Sequence, residues 1–100
     1  MRIISAVDAT LLAFLVDLSP VECQAALDRK LKEYPEPLAN TNENRRSVLG
    51  RSVPTVDGIE ACKTLIKIKQ GEAVPNDWRS EAAQSVMRWK EGNQRASRRD

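Results

Sequence analysis

Apolar side chains recur along this chain at helical spacing, in four runs separated by Pro, Gly and Asn. Residues 9–18 place an apolar side chain at every position except Thr10 and Asp17. Those two lie seven positions apart, nearly two turns, so they mark one narrow polar stripe on an otherwise apolar helix. A helix of that kind is expected to be buried on most sides. Ser5 or Asp8 is its expected N-cap. The residues before Ser5 are too few to assign.

Ser19-Pro20-Val21-Glu22 opens a second helix, with Ser at the cap, Pro at the first helical position and Glu three residues after the cap. It is predicted to run from Pro20 to about Tyr34, with Cys23, Leu27, Leu31 and Tyr34 on one face. Pro35 and Pro37 end it, because a residue before proline avoids the α region. So short a linker predicts that the first two helices form a tight antiparallel or angled pair.

A third helix is predicted to start at Pro54 or Thr55 and to stop before Gly71. Val56, Ile59, Cys62, Leu65 and Ile66 make its apolar face, Lys63 and Lys67 flank that face, and Ile68 points away from it. A fourth is predicted from Asn76, after Pro75, to Gly92. Trp78, Ala82, Ser85, Val86 and Trp89 share one of its faces. Both Trp read either as interface anchors, with Arg79 and Arg88 beside them, or as core fillers in a chain with few other aromatics, and the core is the favoured placement.

Residues 35–54 hold Pro35, Pro37, Asn40, Asn42, Asn44, Gly50 and Pro54. They read either as a short fifth helix within 40–50, capped by Asn40 and closed by Gly50, or as one long loop. The pattern as a whole predicts an all-α fold: a compact bundle of four main helices in a single domain over 1–92. Residues 93–100 read as a basic, flexible C-terminal tail.

Composition changes this picture in one respect. A chain of 100 residues with 41% hydrophobic content builds only a modest core. Three helices of this size do not cover a helix as apolar as the first. Leu11, Leu12, Phe14, Leu15 and Leu18 are therefore expected to form an oligomer face, toward a second copy in a homodimer or toward an obligate partner.

Charge is unevenly divided. Residues 1–44 carry four Lys/Arg against seven Asp/Glu, and residues 45–100 carry twelve against seven. The net charge of +2 alone does not identify a binder of polyanions. The basic residues nevertheless group. Arg45, Arg46 and Arg51 lie in the long connection, Lys63, Lys67 and Lys69 on the third helix, and Arg79, Arg88, Lys90, Arg95, Arg98 and Arg99 on the fourth and after it. Such groups suit contact with a partner or with nucleic-acid phosphates. Asp57, Glu60, Glu72, Asp77, Glu81 and Glu91 interrupt them, which thins any continuous basic stripe. A helix-turn-helix over 55–91 also fits poorly, because Asp77 would face phosphate and Trp78 belongs to the core face.

The chain has no histidine. That removes the commonest general base and zinc ligand and every Ser-His or Cys-His pair. No phosphate-cradling glycine motif occurs. Carboxylates mostly stand three or four positions from a basic residue, as Asp28 does from Lys32 and Glu60 from Lys63, which is the spacing of solvated helix pairs. No catalytic, cofactor-binding or metal-ligating residue is assigned, and a non-enzymatic protein is expected.

Cys23 and Cys62 sit on apolar helix faces and are read as small buried hydrophobes rather than reactive thiols. Two cysteines without a framework favour a reducing compartment, and the expected location is cytoplasmic. Asp8 and Asp17 bracket the short apolar run Leu11–Val16, which argues against a leader peptide. No apolar run approaches the ~20 residues of a membrane span.

These readings converge on a small interaction protein. The expectation is a regulator, adaptor or inhibitor that binds a larger protein or nucleoprotein complex stoichiometrically, as phage- or plasmid-encoded inhibitors of host machinery do. The alternative is a nucleic-acid-binding regulatory protein that uses the basic C-terminal half.

Overall fold

Each helix starts where a side chain can accept the hydrogen bonds its first turn leaves open. Ser5 Oγ accepts from Asp8 N at 3.0 Å and opens α1, Ala6–Val16. Ser19 Oγ accepts from Glu22 N at 3.3 Å, while Glu22 Oε1 accepts from Ser19 N at 3.2 Å, closing the predicted capping box of α2, Pro20–Glu33. Thr55 Oγ1 accepts from Gly58 N at 3.1 Å and opens α3, Val56–Lys69. Before α4, Trp78–Ser97, Asp77 Oδ1 accepts from Arg79 N at 3.0 Å and Ser80 Oγ accepts from Asp77 N at 3.3 Å. The computed structural model describes residues 5–39, 41 and 53–97. Over these the chain is an all-α bundle, with one isolated bridge between Leu38 and Thr55 as its only β-type pairing.

The helix ends follow backbone chemistry. Gly71 takes φ +78°, and the N–H groups of Gly71 and Glu72 donate to the carbonyls of Ile68 and Lys67, each at 3.0 Å. This double closure needs a left-handed residue, which glycine supplies, and it stops α3 where predicted. Gly92 does not act this way. It lies on an open side of α4, and the helix continues through it to Ser97. Helix α4 also begins two residues later than predicted, because Asp77 accepts from Arg79 N just before it. The segment proposed for a short fifth helix lies almost wholly outside the described residues.

Helix α3 is the hub, packing against each of the other three helices. Gly58, Ile59, Ala61, Cys62, Thr64, Leu65 and Ile66 are all buried along it. Its small side chains let neighbours approach from several sides, so α3 and not α1 is the helix enclosed on most faces. The core also takes Leu12 and Leu15 from α1, Cys23 and Leu27 from α2 and Ala83 from α4. Despite their short connector, α1 packs on α3 and α4, α2 packs on α3, and the two pack much less on each other. Cys23 ties them locally, its Sγ donating to the Leu15 carbonyl at 3.0 Å.

Both ends of α1 are clasped by polar groups from elsewhere. At its start the Asp8 side chain is fully buried. Asp8 Oδ2 accepts from Ser5 Oγ at 2.7 Å and from Thr55 Oγ1 at 2.6 Å, and Oδ1 accepts from Thr55 N at 3.0 Å. The carboxylate thus sits in the first turn of α1 and at the N-terminus of α3, where both helix dipoles favour negative charge. At the other end Lys69 Nζ donates to the Val16 carbonyl at 2.7 Å. Lys90 Nζ donates to the Ala13 carbonyl and to Asp17 Oδ2, each at 2.5 Å. Two cations therefore meet the negative end of the same helix.

Gly58 makes the Asp8 clasp sterically feasible. A Cβ built on it would stand 2.0 Å from Asp8 Oδ1. Gly58→Ala should therefore cost about 1–3 kcal/mol in urea unfolding, the range for forced overpacking. Gly92→Ala should instead stabilise by up to ~1 kcal/mol, since alanine is the better helix former and meets open space there. An unchanged midpoint for the first variant, or a loss for the second, would contradict these placements.

Candidate functional site

The two thiols are enclosed, and the buried Asp8 carboxylate is occupied by its hydrogen bonds. Cys23 and Cys62 are both fully buried. Burial, reinforced by the Asp8 charge and by Cys23, pushes the Cys62 thiol up to about 12. Burial also raises Cys23, partly opposed by Lys69. Neither thiol is poised as a nucleophile, and both act as small core side chains. Among the described residues no three His, Cys, Asp or Glu side chains converge on a point that would hold a metal ion.

The basic residues singled out in the sequence do not assemble into one surface. Lys63, Lys67 and Arg79 border a cleft of about 370 Å³ between α2, α3 and the start of α4, together with Gln24, Glu60 and Glu72. Glu60 lies between two of these cations, 3.8 Å from Lys63 Nζ and 3.9 Å from Arg79 Nη1. Arg79 is held more closely by Asp77 at 2.5 Å. Hydrogen bonding from Arg79 keeps the Asp77 carboxyl below its ordinary value. Arg88 is exposed on α4, about half a helical turn away from the core-facing Val86 and Lys90. Arg95 falls within α4, while Arg45, Arg46, Arg51, Arg98 and Arg99 lie outside the described residues. Lys69 and Lys90 spend their charge inside the fold, on α1.

The expected oligomer face also divides. Leu12 and Leu15 are fully buried and belong to the core, so they are closed to any partner. Leu11 and Leu18 are partly buried against that core. Phe14 remains 54% exposed. At 100° per residue these positions span an arc of about 160°, so Leu12 and Leu15 toward one edge reach the core while Phe14 at the other edge stays outside.

Trp89 is 59% exposed on α4, which overturns its expected place in the core. Ala83 and the flank through Val86 and Met87 fill the space against α1 and α3 instead. Trp78 is half-buried, with the Arg79 guanidinium 6.0 Å from its ring centroid.

Phe14 and Trp89 each border an apolar groove, and the two grooves meet at Thr10 on the outer side of α1. Ala6, Thr10 and Phe14, spaced four apart, form the outer ridge of α1, where Thr10 Oγ1 is turned back to the Ala6 carbonyl at 2.8 Å. On one side a groove of about 410 Å³ runs between this ridge, Val7, Leu11 and Lys30 of α2. Lys30 Nζ stands 5.1 Å from the Tyr34 ring centroid. On the other side a groove of about 460 Å³ runs between Ala9, Thr10 and Ala13 of α1 and Ser85, Val86 and Trp89 of α4. Small residues on both walls of the second groove keep it open. The sequence already places Leu11 and Phe14 on an expected partner face, but not the groove toward α4. Phe14 falls on the stripe that Thr10 and Asp17 mark as outward-facing.

Comparison with protein-family models, with curated proteins and with solved structures finds no match for this chain.

The thiols give a direct check on the closed core. In the native protein near pH 8, Cys23 and Cys62 should resist alkylation by iodoacetamide, and both should react after unfolding in urea, as read by mass spectrometry. Native labelling at the rate of a free thiol would contradict their burial.

Proposed function

We propose that this protein is a small regulator, adaptor or inhibitor that binds a larger protein or nucleoprotein complex stoichiometrically, in the manner of phage- or plasmid-encoded inhibitors of host machinery. The contact surface in this reading is the outer face of α1 together with the adjoining edge of α4. The observation that carries it is the pair of exposed aromatics, Phe14 and Trp89, set beside two apolar grooves on one face. Contiguous exposed apolar surface on a small domain marks an interaction site, and aromatic side chains dominate binding energy at such sites. Leu12 and Leu15 are left out of this surface, because they hold α1 to the core.

The competing reading, nucleic-acid binding, has Lys63, Lys67 and Arg79 around one cleft in its favour. Glu60 and Glu72 in the same cleft weigh against it, as does the use of Lys69 and Lys90 to hold α1. Partner binding through an apolar face and phosphate binding through cations differ in their response to salt.

The test is capture of the partner by tagged wild-type protein and by two variants, Phe14→Glu with Trp89→Glu, and Lys63→Glu with Lys67→Glu. The aromatic variant should fold with an unchanged melting temperature and lose capture by at least about tenfold, the scale of one hot spot. The lysine variant should retain it, and the complex should persist at about 0.5 M salt, where surface charge is screened. Loss in the lysine variant with a steep salt dependence, and affinity for mixed-sequence duplex DNA at physiological salt, would replace this reading with the nucleic-acid one. Concentration-dependent doubling of mass in sedimentation, abolished by Phe14→Glu, would identify the partner as a second copy of the chain.

A further inference from the structure

We draw no further inference here: the strongest candidate outside the apolar face already described, the mixed-charge cleft bordered by Gln24 of α2, Lys63 and Lys67 of α3 and Arg79 of α4, carries nothing, because Glu60 lies within ion-pair distance of two of its cations and no buried polar side chain among the described residues is left without a partner to point to a ligand.

Discussion

A single buried carboxylate decides how the apolar first helix sits in this bundle. Helix α1 is apolar on nearly every side, so hydrophobicity alone gives it little reason to present one face inward rather than another. Asp8 supplies the reason. Burying a carboxylate is costly unless hydrogen bonds replace its water, and the donors that replace it here are Ser5 Oγ, Thr55 N and Thr55 Oγ1. They stand together only where the start of α1 meets the start of α3. With Asp8 turned to that corner, Leu12 and Leu15 follow it inward at i+4 and i+7. Ala6, Thr10 and Phe14 are left outside. The exposed face is thus a consequence of the polar anchor, and Gly58 is the residue whose missing side chain leaves room for it.

The other end of α1 is held by charge of the opposite sign. Lys69 from the end of α3 and Lys90 from α4 both donate to carbonyls in its last turn. Each is drawn from a different helix, so the two contacts resist rotation of α1 as well as fraying. This arrangement also accounts for part of the basic excess in residues 45–100. Two of those cations are structural, and Arg79 is bound up with Asp77 and Glu60. A raw charge split in a sequence therefore overstates the surface available to a polyanion. The apolar face between α1 and α4 carries no such internal obligation, which is why it rather than the basic half bears the proposed function.

Much of the fold was legible because local chemistry agrees with it. The capping box at Ser19 and Glu22, the Thr55 cap and the Gly71 closure are all contained within a few residues, and each element formed where that chemistry pointed. What failed needed tertiary knowledge. Asp8 reads from sequence as a candidate cap, and its bond to Thr55 joins residues 47 positions apart. Gly92 resembles a stop, but nothing draws it into a left-handed conformation. Trp89 resembles a core residue by size and spacing, yet it is Ala83, with Val86 and Met87 beside it, that α4 turns to the core. The outward setting of Phe14 agrees with its place on the expected partner face and with the Thr10 and Asp17 stripe, which contains it. The arginines of the long connection stand outside the described residues, so their placement adds nothing to either functional reading.

The claim that Asp8 anchors α1 to the start of α3 is tested most directly by a double-mutant cycle in urea unfolding, combining Asp8→Asn with Thr55→Val. The account predicts that the two losses are strongly non-additive, with a coupling energy of about 1–3 kcal/mol, as expected for members of one buried hydrogen-bond network. Losses that simply add, to within about 0.5 kcal/mol, would show that the two residues act independently and that something other than this carboxylate sets the face of α1.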